Sequence, residues 1–299
     1  MTYSIVARDP RSGEIGVAVQ SHWFSVGSVV SWAEAGVGAV ATQSVAEPSY
    51  GPRLLARMRA GEEPGAALRE LLAADPSARF RQVAAVAADG RAAVHTGGGC
   101  IPFAGHVEGE GFTVQANMMA AEAVWPAMAE AFEAATGPLA ARLLVALDAG
   151  EAAGGDVRGR QSAALVVVPA AGEPWQRAVE LRVEDHPEPL AELRRLLRLH
   201  EAYAVTAEGD ELAGRGRHAE AGERYRAAVR LAPESEELGF WAGLALAHAG
   251  ELEEGVARVR EAVARHPGWR DLLDRLPPEI APAAAAVRAA LAEPPRPTT

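Results

Sequence analysis

The residues best suited to chemistry begin at the second position. Thr2 follows an initiator methionine, and a side chain as small as threonine permits that methionine to be trimmed, leaving a hydroxyl and a free α-amine on one residue. An α-amine titrates near pH ~8, so at neutral pH a sizeable neutral fraction can take the proton of the adjacent hydroxyl. The pair is a nucleophile with its own base, and the chemistry that suits it is acyl transfer from an amide or a related bond. Ser4 stands two residues along, on the same face if the segment is a strand, and either orients the amine or is the nucleophile itself if processing differs. The oxyanion of such a reaction needs donors, for which Asn117 and the backbone N–H groups near Gly97-Gly98 are the candidates.

A second polar group lies far along the chain. Asp156, Arg158, Arg160, Gln161 and Ser162 crowd a glycine-rich loop just before the wholly apolar run 163–168. Arginine forks grip carboxylates bidentately, so the loop either holds a substrate carboxylate or forms an Arg–Asp network tying itself to the core. Gln43, in Thr42-Gln43-Ser44, falls where a strand should end and its side chain should reach a pocket.

These candidates need strands and helices to position them. Ile5 and Ala7, then Ile15, Val17 and Val19, alternate on either side of Pro10-Arg11-Ser12-Gly13, which reads as a hairpin. After the loop 21–27, Val29, Val30 and Trp32 and then 37–41 suggest a second hairpin continuing the same sheet. Helical spacing over 52–72, broken at Gly61-Glu62-Glu63-Pro64, predicts two helices covering one sheet face. Strands 82–87 and 92–95 flank an Asp89-Gly90 turn, a strand spans 112–117, and helices over 124–135 and 139–149 divide at Gly137-Pro138. Strands at 163–168 and 179–183 and a helix from Pro189 to His200 complete an order that fits two antiparallel sheets between helical layers, an α+β αββα sandwich, better than alternating βαβ units.

The opening Thr2-Tyr3-Ser4-Ile5-Val6-Ala7, the run 36–43, Pro48-Ser49-Tyr50-Gly51-Pro52 and the run 154–163 together resemble the bacterial family catalogued as domain of unknown function 1028, which is similar in fold to the N-terminal-nucleophile hydrolases. The resemblance covers about the first two hundred residues, with four motifs in the right order. It implies the αββα fold and maps by motif onto Asp156, Arg158, Arg160 and Gln161. It does not say which of them contacts a substrate, and it carries no activity.

Beyond residue 200 the chain repeats. Gly216, Ala221, Tyr225, Ala228 and Pro233 correspond to Gly250, Gly255, Val259, Ala262 and Pro267, each pair 34 positions apart, a period that resembles the tetratricopeptide repeat. The expected division is 1–200 for the sandwich, 201–292 for the helical repeats and 293–299 for a disordered tail. The helix before the repeats, or one over 282–291, would cap the stack.

Composition sets the limits. A formal net charge of −11 and the absence of any basic run argue against nucleic-acid binding. All 29 cationic residues are arginine, so an amine base must be the terminus itself. The single Cys100 excludes an internal disulfide and is expected to be a buried thiol. His22, His95 and His106 lack metal-ligand spacing, and Gly97-Gly98-Gly99 lacks the lysine of a phosphate loop. No secretory or membrane segment is read, which makes the bacterial cytoplasm the expected compartment. The sequence therefore points to a cofactor-free hydrolase of an amide or related acyl bond in a small, anionic substrate. The alternative is an inert scaffold whose repeats capture a peptide or protein partner, and a homodimer is the expected assembly.

Overall fold

The strands of the N-terminal unit are built from small and β-branched residues that tolerate burial on both faces. The computed structural model describes residues 2–292; the expected loss of Met1 and the expected tail from 293 lie outside them. In chain order the unit comprises β1 (Thr2–Arg8), β2 (Ile15–Ser21), α1 (Gly27–Val30), β3 (Ser31–Glu34), β4 (Gly38–Ser44), α2 (Tyr50–Arg59) and α3 (Pro64–Ala73). It continues with β5 (Arg81–Ala87), β6 (Ala92–Thr96), β7 (Gly105–Gly109), β8 (Phe112–Asn117), α4 (Val124–Ala134), α5 (Leu139–Ala152), β9 (Ser162–Val168) and β10 (Val179–Val183). Every named strand pairing is antiparallel. One sheet runs β10-β9-β2-β1-β8-β7 and the other β3-β4-β5-β6.

Side-chain alternation sorts each strand into two environments. Val6, Val17, Val19, Ala164 and Val166 of the first sheet pack against Ala39, Ala41, Ala84 and Val86 of the second, forming the core between the sheets. The opposite face of the second sheet, with Val40, Val83 and Ala85, is covered by Tyr50, Leu54, Leu68 and Leu71 of α2 and α3. On the opposite face of the first sheet lie α4 and α5, where a Cβ on Gly16 would meet Leu143 at 2.8 Å. Each large apolar side chain removed from water in these layers contributes about 1.5–3 kcal/mol.

Local chemistry explains where the elements begin and turn. The Glu63 carboxylate accepts from the N–H groups of Gly65 and Ala66, with Pro64 at the first position of α3, and those donors hold the carboxyl below its usual range. Gly90, at φ +89°, makes the β5–β6 turn that the Asp-Gly pair predicts. In α2 the absent side chain of Gly51 lets the helix rest on Trp32, since a Cβ there would lie 2.2 Å from the indole.

The structure departs from the sequence reading in four places. The β3–β4 hairpin does not extend the first sheet but opens the second, because the chain crosses between layers after β2. Val29 and Val30 lie in or at the end of the helical turn α1 and not in a strand. The glycine-bounded edge strand β7 escaped prediction because its sequence, Gly105-His106-Val107-Glu108-Gly109, has one apolar side chain. The helix at Pro189 does not stop near 200: α6 spans Pro189–Gly214, and the division between compact units falls inside it, after Leu196.

The C-terminal unit continues with α7 (His218–Leu231), α8 (Glu236–His248), α9 (Leu252–Arg265), α10 (Gly268–Arg275) and α11 (Ala284–Ala292). The 34-residue spacing recurs in the backbone. Gly216 and Gly250 have φ of +74° and +98°, and the residues after them, Arg217 and Glu251, share ψ values of 57° and 56°. Their N–H groups donate to Leu212 O and Leu246 O, both at 2.9 Å. Helices α8 and α9 approach closely through paired glycines, where a Cβ on Gly255 would sit 2.4 Å from the carbonyl oxygen of Gly243. Among the described residues no helix is long and apolar enough to cross a membrane.

That crossing is testable. Gly255→Ala is expected to force α8 and α9 apart and to lower stability in urea by ~1–3 kcal/mol. Gly239→Ala, on α8 with open space around its Cβ position, should instead be neutral or stabilising by up to ~1 kcal/mol.

Candidate functional site

The layer between the sheets is apolar at one end and polar at the other. Along β1 the inward positions run Val6, Ser4, Thr2; along β4, Ala39, Ala41, Gln43; along β5, Val86, Ala84, Gln82; along β8, Thr113, Gln115, Asn117. Register brings the polar ends level, with Thr2 opposite both Ser21 and Asn117, and Gln43 opposite Gln82. Thr2, Ser4, Gln43, Gln82, Gln115 and Asn117 are all buried.

Side-chain amides satisfy one another across this layer. Gln43 Nε2 donates to Gln82 Oε1 at 2.8 Å and reaches the carbonyls of Thr2 and Gln115, both at 3.2 Å. Ser4 Oγ donates to Gln43 Oε1 and accepts from Gln115 Nε2, each at 2.6 Å. Gln82 Nε2 donates to Thr96 Oγ1, Gly105 O and Ala116 O, and Gln82 Oε1 also accepts from Asn117 Nδ2 at 2.8 Å. Thr2 sits at the rim, its carbonyl held by Gln43 and Asn117 and its hydroxyl donating to Ser21 Oγ at 3.1 Å. Asn117 Oδ1 is buried without a partner among the described residues.

Thr2 opens onto a cavity of about 350 Å³. Its lining is Trp23, Val26, Val29 and Val30 around α1 and Val45, Ala46 and Pro48 after β4, with Gln43 and Ser44 beside Thr2. The β4 side of this wall is fixed from behind. Thr42 Oγ1 donates to Glu47 O, Val45 N–H to Phe80 O, and the Arg81 guanidinium to Val45 O at 2.6 Å. Arg81 is itself oriented by Asp75, whose carboxyl is lowered to about 2, first by the hydrogen bond from Arg81 and further by Ser77 N–H and the Tyr50 hydroxyl. Ser44 and Met118, the residues just after Gln43 and Asn117, carry φ of +73° and +57°. Left-handed backbone at non-glycine residues costs of order 1–3 kcal/mol each and gathers at functional sites.

The Asp156 loop is placed differently. The Asp156 carboxylate accepts from His22 N–H and from the backbone and guanidinium of Arg158, whose Nη2 lies 2.8 Å away. Arg160 pairs with Glu151 at 2.8 Å and with Glu188. Glu151 also accepts from the Tyr3 hydroxyl at 2.7 Å, and burial followed by that carboxylate pushes the Tyr3 phenol well above its ordinary value. Gln161 donates through its side chain to Asp185 and through its N–H to Ser21 O. The loop thus abuts the strand end that partners Thr2, but its arginines are engaged by carboxylates and do not line the cavity. The structure therefore brings Thr2, Ser4, Gln43 and Asn117 together, and joins Asp156, Arg158, Arg160 and Gln161 in a neighbouring ion-paired loop.

The remaining candidates make specific contacts. Gly97 N–H is committed to Arg81 O, and Asn117 Nδ2 to Gln82 and the Thr2 carbonyl, so these oxyanion candidates already have acceptors. Cys100 is half-buried, with its thiol 3.4 Å from Arg81 O. His95 bonds Ala78 O and His106 bonds Thr96 Oγ1, and no cluster of three or more His, Cys, Asp or Glu able to hold a metal exists among the described residues. Gln82 and Gln115 escaped the sequence reading. The signal for Gln82 is a glutamine in step with the inward apolar residues of its own strand, Ala84 and Val86, whereas Gln115 lies in step with Thr113 and Asn117.

Fold and site define an α+β protein of two antiparallel sheets with a hydroxyl residue at the rim of an inter-sheet amide network. The model of the family of unknown function DUF1028 matches residues 2–193, and the chain belongs to that family. It is similar to the crystal structure of protein SPO2555 from Silicibacter pomeroyi, assigned to the same family, at 33% identity and a TM-score of 0.61, covering 66% of this chain and 84% of that one. No curated protein matches.

Two outcomes follow from this geometry. Gln82→Leu removes the acceptor shared by Gln43 and Asn117 and the donor to Thr96 Oγ1, Gly105 O and Ala116 O, and is expected to cost about 3 kcal/mol in chemical denaturation. Asp75 stabilises the fold while ionised. Its carboxyl titrates at about 2 in place of the ordinary 3.8, so this contribution is complete above about pH 4 and is lost as pH falls towards 2. Asp75→Asn should flatten the acid limb of a stability-versus-pH curve over that interval.

Proposed function

We propose that this chain is a cytoplasmic hydrolase of an amide or related acyl bond, with Thr2 as nucleophile after removal of Met1, on an αββα scaffold of the N-terminal-nucleophile type. The observation that carries this reading is the position of Thr2. It is a hydroxyl residue at the end of a central strand, its carbonyl clamped by two side-chain amides, and it lines a cavity of about 350 Å³. The Thr2 amine takes the proton of Oγ1, directly or through a water, and Oγ1 attacks the acyl carbon. The C–N bond breaks, the amine leaves with a proton, and the threonyl ester is hydrolysed by water to release the acid and restore the hydroxyl. Ser21, in hydrogen-bond contact with Oγ1, orients the hydroxyl. The unpartnered Oδ1 of Asn117, on the residue registered opposite Thr2, is available to accept from the amine. The oxyanion donors are assigned to backbone N–H groups or water at the rim, since the Asn117 amide nitrogen is occupied.

A second reading is favoured by the C-terminal unit. Its repeated backbone geometry supports a tetratricopeptide-like stack, and Tyr203, Tyr225, Leu238, Trp241, Leu244 and Ile280 line a groove of about 460 Å³ within it. On that reading the protein holds a partner peptide there and Thr2 is catalytically idle.

Intact-mass measurement and activity against a panel of amides separate the two. Loss of Met1, turnover abolished by Thr2→Ala and partly kept by Thr2→Ser support the hydrolase; full activity in Thr2→Ala overturns it. The expected homodimer is checked by light scattering at tens of micromolar, where a mass near the 31.3 kDa of one chain would refute it.

A further inference from the structure

The cavity beside Thr2 also specifies what it holds. No charged side chain lines it among the described residues: its walls are Trp23, Val26, Val29, Val30, Val45 and Pro48, and its polar groups gather at the Thr2 end as Gln43 and Ser44. The nearby cations are spoken for. Arg81 is paired with Asp75 and donates outward to Val45 O, Arg158 is paired with Asp156, and Arg160 with Glu151 and Glu188. A carboxylate placed in this recess would lose its hydration without a guanidinium to replace it, a transfer that costs far more than the apolar walls return. It would also have the Thr2 ammonium as its one available counter-charge, and pairing with it would hold the amine in the protonated form that cannot act as base.

The walls are also incompletely covered. Trp23 and Val45 flank the mouth at 58% and 56% exposure, high for large apolar side chains fixed by neighbouring hydrogen bonds. Val26 is pinned from the opposite side, its N–H donating to Ser162 Oγ, so the α1 wall is built and not a fluctuating loop. Of the two halves of an amide substrate, the acyl group stays bound to Thr2 Oγ1 through both steps while the amine must leave. The recess that begins at Thr2 suits the half that stays.

Resting on the reading of Thr2 as nucleophile, we infer that the substrate is an N-acyl compound whose acyl group is uncharged and apolar, a short to medium aliphatic chain or an aryl group. The anion-binding role expected of Arg158 and Arg160 has no part in acyl recognition. Val29 and Ala46, half-buried on opposite walls, set the length accepted.

The test uses the full chain carrying Thr2→Ala, so that recognition is read without chemistry, with binding of acetamide, butanamide, hexanamide and the charged isostere adipamate (the monoamide) followed by ligand-detected NMR. The expected result is affinity rising roughly fourfold per added methylene, with adipamate at least tenfold weaker than hexanamide. Val29→Arg should reverse that preference, and Ala46→Leu should remove the gain between butanamide and hexanamide while leaving acetamide unchanged. Adipamate binding as tightly as hexanamide, or no binding by any of the amides, would each overturn the inference. Retained ladder binding in Thr2→Ala with no wild-type turnover of the matching N-acyl amides would sink the nucleophile and leave the acyl pocket standing.

Discussion

The pairing of Gln43 with Gln82 is the constraint on which the rest of this structure depends. Two primary amides at directly opposite positions of one sheet face a second sheet across a layer from which water is largely excluded, and each unmet donor or acceptor there would cost about 1–3 kcal/mol. They are satisfied by reaching across to the carbonyls of Thr2, Gln115, Ala116 and Gly105. A one-residue slip of β4 or β5 within its sheet would turn that strand's inward side chains outward and break its share of these bonds together. The apolar half of the layer supplies most of the burial, but it would accept several alignments; the amide half accepts one.

That alignment is what gives Thr2 a fixed place. Its carbonyl is held by side chains from β4 and β8, and its hydroxyl by Ser21 on β2, so three separate strands define one residue at the end of a fourth. A reactive group needs such support from elements that do not themselves move. The left-handed residues Ser44 and Met118 lie immediately after two of the supporting amides, where the chain turns away from the strand ends.

Much of this was visible in the sequence, for physical reasons. The β5–β6 hairpin carries its own turn chemistry at Asp89-Gly90, α3 its Pro64 start and the C-terminal helices their 34-residue spacing. Thr2, Ser4, Gln43 and Asn117 were recognisable as polar residues at strand ends. Their association was not, because nothing local records which sheet a hairpin joins, and β3–β4 was therefore read as extending β1–β2. Gln82 and Gln115 look like ordinary strand residues until the facing sheet is known. The Asp156–Arg158 pair is the Arg–Asp network that the loop's own sequence offers, whereas the partners of Arg160, Glu151 and Glu188, belong to helix α5 and to the segment before α6 and could not be named locally. Val29 and Val30 predict a strand because β-branched pairs favour extended backbone, a preference overridden where Val26 N–H bonds Ser162 Oγ at the start of α1.

The outermost strands carry a further consequence. β10 alternates buried Val179 and Val183 with exposed Glu180 and Arg182, β3 is four residues long, and β7 begins and ends in glycine. Each is a poor template for another chain, through charge, brevity or lack of side-chain grip. Copies of this protein crowded together should thus resist joining into a continuous sheet through these three edges, where contact is left to matching side chains and dissolves when that match is lost.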